Sequence, residues 1–244
     1  MNCGGETWAL LPVKGLGKVK QRLEPVLSAP DRERLFLALL EDLFTAVAAA
    51  DALDGVLVVG GEASLAALVE GYGLDFVAEP GEVSGLNGAV AWGLSRLGDS
   101  GAARALVLHG DLPLATPEAV DSVLDHAASD NVVLVPDWRE DGTNGLVTPL
   151  PIAFPLGYGP GSYNKHIKSV ATAGLDQVSV GESRLAFDVD TPQDLAFLCE
   201  LAAIGLCGVR TTRLVASLDP GGLPAVNAAE WHALVEALGV KELA

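Results

Sequence analysis

Short, almost continuously apolar runs alternate along this sequence with longer amphipathic stretches, and few folds accept that rhythm. Trp8–Val13, Gly55–Gly60, Asp75–Ala78, Arg104–His109 and Asn131–Pro136 read as strands. Their lack of polar alternation suits strands covered on both faces. The stretches between them carry helix starts. Ser28 precedes Pro30, Asp31 and Glu33 and caps a helix expected from about Ala29 to Ala50. Thr116-Pro117-Glu118 and Thr191-Pro192-Gln193-Asp194 open two more. A βαβα order of this kind predicts an α/β domain with a mainly parallel sheet.

Two stretches depart from the rhythm. Residues 137–164 are rich in Asp, Gly, Thr, Asn, Pro and aromatics, and predict a long functional loop or insertion. Beyond Gly205 the turn Asp219-Pro220-Gly221-Gly222 leads to Asn227, an N-cap with Glu230 three residues on, and a short helix to about Leu238. The expected division is a domain over 1–204 and a helical C-terminal appendage over 205–244. The Leu, Val and Trp content of the appendage demands burial, on the core or in a homodimer.

Charge narrows the partners. Lys and Arg total 15 against 32 Asp and Glu, a formal net charge of -17. A broad grip on nucleic acid needs a basic surface, so nucleic-acid binding is not expected. Anionic substrates would be repelled unless the site is locally basic or holds a divalent metal. No apolar run reaches the roughly 18 residues of a membrane span, and no leader pattern precedes the first strand. Cys3, Cys199 and Cys207 are odd in number and far apart, which encodes neither a disulfide framework nor a zinc knuckle. These features read as a soluble, reduced, cytoplasmic protein.

Within that acidic chain, residues 14–22 hold four of the 15 basic residues, Lys14, Lys18, Lys20 and Arg22, with Gly15 and Gly17 among them. A glycine-bearing basic loop after the first strand can cradle phosphates, and it falls at the strand ends where open α/β sheets bind ligands. It is neither a Walker A loop nor a dinucleotide fingerprint. A solvated basic loop is the competing reading. At the end of the Arg104–His109 run, Gly110-Asp111 places a carboxylate at the ligand crevice, either for a divalent cation or as a helix cap. Asp188 and Asp190, two apart in an extended segment, share a face and repel unless a positive charge lies near. With Asp111 they predict a three-carboxylate Mg²⁺ site completed by phosphate oxygens; the competing reading is that one of the pair caps the following helix, although Thr191 already offers that oxygen. Gly157–Ser162 opens a helix bearing Lys165, His166 and Lys168, an arrangement suited to anions. Asp141–Gly145 adds hydroxyls and free amides. Asn87, in Gly85-Leu86-Asn87, either reads a nucleobase edge or caps the following helix.

Taken in order, these segments resemble the 2-phospho-L-lactate guanylyltransferase (CofC/FbiD) family of coenzyme F-420 biosynthesis. The shared pieces run from Leu11-Pro12-Val13-Lys14 and Lys20-Gln21-Arg22-Leu23-Glu24-Pro25 through Gly85-Leu86-Asn87 and Gly110-Asp111-Leu112-Pro113. They continue with Gly142-Thr143-Asn144, Gly159-Pro160-Gly161-Ser162 with His166, and Asp188-Val189-Asp190-Thr191-Pro192, covering about residues 8–200. The resemblance implies a nucleotide-diphospho-sugar-transferase-like Rossmann domain. It implies attack of a phosphorylated three-carbon acid on the α-phosphorus of GTP, with release of pyrophosphate. It also implies roles: Asp111, Asp188 and Asp190 for Mg²⁺; Thr143, Gly159 and Ser162 for the acid. Leu11, Lys14, Lys20, Arg22, Gly85 and Asn87 fall to the nucleotide, with Lys20 and Arg22 also acting in catalysis. The acid is phosphoenolpyruvate, 2-phospho-L-lactate or 3-phosphoglycerate, and the acidic, bacterial-style sequence tilts toward the first. Asp141-Gly142-Thr143 departs from a fuller Gly-Thr-Gly-Thr run in the family, which bears on the acid pocket. The alternatives are a nucleotidyltransferase with a molybdopterin or sugar-phosphate acceptor, and a non-catalytic nucleotide-sensing module.

Overall fold

The computed structural model describes residues 5–13, 15, 19–62 and 64–240. Strands β1 (Thr7–Val13), β2 (Gly55–Gly60), β3 (Asp75–Ala78) and β4 (Arg104–Leu108) appear where the apolar runs predict them. So does β5 (Asn131–Pro136), and β6 (Thr143–Pro149) and β7 (Asp176–Ser179) complete one sheet in the order β3-β2-β1-β4-β6-β5-β7. Neighbouring strands are parallel except at β6, which runs antiparallel to both β4 and β5. The helices are α1 (Ala29–Ala48), α2 (Ser64–Gly71), α3 (Gly85–Asp99), α4 (Pro117–Leu124), α5 (Ser162–Thr172) and α6 (Pro192–Ala203), followed by α7 (Val209–Val215) and α8 (Ala228–Ala237). Among the described residues no helix is long and apolar enough to cross a membrane.

β6 corrects the expectation of a long loop over 137–164. Its sequence, Thr-Asn-Gly-Leu-Val-Thr-Pro, carries turn-forming residues, yet its first six residues are buried between β4 and β5. Strand pairing on both edges and burial on both faces override the local turn preference. Gly145 packs closely on its neighbour, since a Cβ there would stand 3.0 Å from Val135 Cγ2.

The chain order creates the crevice. From β1 the chain steps outward through β2 to β3, then returns to β4 on the opposite side of β1. The loops after β1 and β4 therefore diverge at the carboxyl ends of adjacent strands, the topological switch point where open α/β sheets bind ligands. The loop after β1 carries Lys20 and Arg22, and the loop after β4 carries Asp111.

Helix α1 is buried on two sides. Phe36, Leu40, Leu43, Phe44 and Val47 pack toward the sheet, while Leu35 and Leu39 join a second cluster with Phe197, Leu198 and Leu201 of α6 and Leu234 of α8. Truncating one such leucine to Ala costs about 2–5 kcal/mol. The C-terminal segment is thus buried against α1 and α6 of its own chain. Asp42 of α1 caps α7, accepting from the backbone N–H groups of Arg210 (3.1 Å) and Thr211 (2.8 Å). Arg210 Nε also pairs with Glu41 at 2.9 Å. The Leu23, Val26 and Leu27 stretch and Phe187 and Val189 share this second cluster. The backbone on either side of the carboxylates is therefore fixed from behind.

Candidate active site

A cleft of about 380 Å³ opens at the switch point. One end is charged. Asp111, Asp188 and Asp190 each bring a carboxylate oxygen within 4.8 Å of the others, the group among the described residues able to hold a metal ion. The reason Asp190 is not spent on the helix behind it lies in its neighbours. Thr191 caps α6, accepting from Asp194 N–H at 3.2 Å, while Asp194 accepts from the Thr191 N–H at 2.8 Å and from the Asp190 N–H at 3.1 Å. The capping box absorbs the helix terminus, so neither Asp188 nor Asp190 is spent as a cap. Asn144 at the start of β6 donates to Leu185 O (3.0 Å) and reaches Asp188 Oδ1 at 3.4 Å.

Lys20 closes the charged end. Its ammonium lies 2.6 Å from Asp111 Oδ2 and 3.0 Å from Asp190 Oδ1, with the side chain 5% exposed. Its backbone adopts the left-handed conformation at φ 50°, which costs a non-glycine residue roughly 1 kcal/mol or more. The two ion pairs hold that strain in place. Burial alone would lower the Lys20 pKa, but Asp111 and Asp190 outweigh it and keep the ammonium charged above its ordinary range. For Asp111 burial pushes up, and Lys20 and His109 prevail, leaving it below the usual carboxylate range. Asp188 goes the other way. Burial, with the charges of Asp111 and Asp190, pushes it up to about 7. A carboxylate so disfavoured by its surroundings is a fit for a hard divalent cation, and the donor set is all oxygen.

The other end of the cleft is largely neutral. Thr143 at the head of β6 and Ser162 at the head of α5 are each 3% exposed and both line it, as do Gly159 and Tyr158. Gly159 has φ +117°, a conformation that excludes side chains. Thr143 Oγ1 lies 3.0 Å from His166 Nδ1, and the Gly157 N–H donates to His166 Nε2 at 3.0 Å. The Tyr158 ring meets His109 and His166 edge-on at 4.9 and 4.7 Å. The anion-binding amide at the start of α5 is already engaged, because Asp141 Oδ2 accepts from the Gly161 N–H at 3.2 Å.

The residues singled out in the sequence therefore fall into three groups. Arg22, Asp111, Asp188, Asp190, Thr143, Gly159 and Ser162 converge on the cleft, with Lys20 behind its carboxylates. Leu11, Gly85 and Asn87 do not line it. Leu11 is fully buried in the core, which leaves only its backbone for any ligand. Asn87 neither caps α3, whose N-cap is Ser84, nor offers a free amide. It accepts from the Tyr158 N–H at 2.8 Å and donates to Tyr158 O at 3.1 Å, tying α3 to the loop before Gly159. Lys14 lies outside the described residues. The sequence reading missed Arg139, which lines the cleft, stacks 4.0 Å over the Trp138 ring and pairs with Asp194 at 3.1 Å. Its position beside a Trp in an irregular segment carried no periodic signal.

Comparison with known proteins matches residues 7–202 to the family described as guanylyl transferase CofC like. A phosphoenolpyruvate guanylyltransferase of Conexibacter woesei is 37% identical over 85% of this chain and 93% of its own. One from Chloroflexus aggregans is 32% identical over 78% and 95%. A 2-phospho-L-lactate guanylyltransferase of Methanothermobacter thermautotrophicus is 35% identical over 78% and 82%. Among solved structures, a Desulfovibrio desulfuricans protein provisionally named a nucleotide-diphospho-sugar transferase superposes with TM-score 0.69 at 19% identity, covering 96% of this chain and 98% of its own. That match reaches into the C-terminal helices, beyond the end of the family match.

Proposed function

The chain belongs to the CofC-like guanylyl transferase family, and from that premise we propose that it joins GMP from GTP to phosphoenolpyruvate, releasing pyrophosphate, in coenzyme F-420 biosynthesis. The acceptor class is a phosphorylated three-carbon acid. Phosphoenolpyruvate is favoured over 2-phospho-L-lactate because the relatives at 37% and 32% identity carry that name.

The observation that carries the reading is the meeting of three carboxylates with a pocket of neutral donors in one cleft at the switch point. A phosphate oxygen of the acid attacks the α-phosphorus of GTP. A P–O–P anhydride forms as the bond from the α-phosphorus to the β-bridging oxygen breaks, and pyrophosphate leaves with the electron pair. The nucleophile is already anionic, so the reaction needs positioning and charge compensation more than a strong base. Asp111, Asp188 and Asp190 would hold a divalent cation, Mg²⁺ in this reading, which when bound supplies positive charge to the α-phosphoryl and pyrophosphate oxygens.

The remaining roles belong to the chain. Lys20 keeps Asp111 and Asp190 in register and contributes a point charge beside them. Arg22, 71% exposed and 3.7 Å from Asp190, is assigned to the triphosphate, where it can turn from carboxylate to phosphate. Arg139 supplies a second guanidinium at the cleft wall. Thr143, Ser162 and the backbone at Gly159 are assigned to the acid. Base recognition is assigned to the Gly85–Asn87 turn through Leu86, which lines the cleft, and Leu11 and Lys14 to the nucleotide side.

The test is pyrophosphate release from GTP and Mg²⁺ with phosphoenolpyruvate, 2-phospho-L-lactate and 3-phosphoglycerate in parallel. Release with phosphoenolpyruvate above the other two is expected. Release with none of them, while GTP binds, would remove the acceptor assignment and leave the fold.

A further inference from the structure

His166 is fully buried on the first turns of α5, and each of its ring nitrogens has a partner. One partner is unambiguous. The Gly157 backbone nitrogen can only donate, so His166 Nε2, 3.0 Å away, must accept. A neutral imidazole carries a single N–H, which then resides on Nδ1. Nδ1 in turn faces Thr143 Oγ1 at 3.0 Å, and the hydroxyl oxygen accepts from it. With that lone pair engaged, the Thr143 hydroxyl proton turns away from the ring, and Thr143 lines the cleft. In the opposite tautomer the Thr143 hydroxyl would donate to Nδ1 and present lone pairs to an anionic ligand.

We propose that His166 is a positioning residue: as the Nδ1–H tautomer it fixes the Thr143 hydroxyl as a hydrogen-bond donor toward the carboxylate or phosphate of the acid. This rests on the assignment of the acid to the Thr143–Ser162 end of the cleft. The same ring also anchors the Gly157 peptide, so it couples β6 and α5 to the loop that carries Gly159. Burial keeps the ring neutral, holding its pKa down at about 4 with the help of His109 and Lys165. A protonated ring would set an N–H against the Gly157 N–H.

Two substitutions separate the two bonds. Asn at 166 can keep a donor near the Nδ1 position toward Thr143, and Gln can keep an acceptor near the Nε2 position toward Gly157. His166→Gln is expected to raise the KM for the acid roughly 10-fold or more, the value of a hydrogen bond to a charged partner. The KM for GTP stays within about 2-fold, and His166→Asn lies closer to the unsubstituted protein. In a Thr143→Val background, His166→Gln should add little, because the hydroxyl it orients is gone. An undiminished effect in that background, a matching rise in the GTP KM, or an Asn variant as impaired as the Gln variant overturns the proposal. Long-range ¹H–¹⁵N spectra of the ligand-free protein read the tautomer directly, and an Nε2–H ring overturns it without any turnover. Silence of the unsubstituted protein with all three acids would sink the acceptor assignment, while the spectrum still decides the tautomer of the ring separately.

Discussion

The two ends of the cleft are built from opposite kinds of polar group. At the carboxylate end, Lys20 pairs with Asp111 and Asp190 at 2.6 and 3.0 Å, and burial, with the charges of those two acids, pushes Asp188 up to about 7. At the hydroxyl end, Thr143, Ser162 and the Gly159 backbone offer neutral groups, and the His166 imidazole touches Thr143 and the Gly157 N–H. The first arrangement is dominated by net charge. The second is complete by itself and acts through geometry.

The comparison breaks first at the carboxylates. Asp188→Ala or Asp190→Ala should reduce Mg²⁺-dependent pyrophosphate release by roughly 1,000-fold or more, as loss of metal-borne charge stabilisation requires, with circular dichroism unchanged. Near-normal turnover in either variant excludes that residue from the cation site. At the neutral end the effects are smaller and fall on one substrate. Ser162→Ala should raise the KM of the acid about 10-fold while that of GTP stays in place. Initial rates with each substrate varied in turn decide this, and a shift in GTP instead would redraw the division of the cleft.

Asp141 sharpens the contrast, because it is a charge on the neutral side. Its carboxylate accepts from the Gly161 N–H, at the head of α5, at 3.2 Å. Asp141→Asn keeps an acceptor but removes the charge, and should lower the KM of the acid about 3- to 5-fold, the scale of one partly screened charge. An unchanged KM would mean that Asp141 and the acid do not compete.

The smallest expected effect is one of pH. The folded-state pKa of His166, about 4, lies below its unfolded value, so between the two the unfolded chain binds the extra proton. Stability from this residue is fully present above about pH 6.5 and is lost as pH falls toward the folded value. The Tm advantage of the unsubstituted protein over His166→Gln should therefore shrink from pH 7 to pH 4, by thermal melts at matched ionic strength. A constant or growing difference would contradict the neutral, buried ring.

Much of this was legible from residue order. The apolar runs located β1 to β5, and Ser28, Thr116, Thr191 and Asn227 each cap the helix that they announce. Asp188 and Asp190 declared themselves by spacing, and Thr191 beside them already implied that the helix cap was taken. Two strands were not legible. β6 carries Asn, Gly and Pro, and β7, Asp-Gln-Val-Ser, has one apolar residue and lies at the sheet edge, so neither shows a strand period. His166 left a faint sign, standing four residues after Ser162 and so on the same helix face. Asn87 stood out in its motif, but its actual partner left no sign, because that partner is a backbone 71 residues away.

What the sequence determined by itself is therefore whatever depends on neighbours along the chain: the alternation of strands and helices, the caps, the basic loop after β1 and the strand-end acids. The tertiary structure alone decided which of those pieces meet. It buried Lys20 between Asp111 and Asp190, 91 and 170 residues away, gave Asn87 to the Tyr158 peptide, and set the His166 ring between Thr143 and Gly157. The physical reason is that local preferences are fixed within a turn or a strand. Burial, charge compensation and the tautomer of a ring are properties of atoms that only folding brings within 3 Å or so of one another.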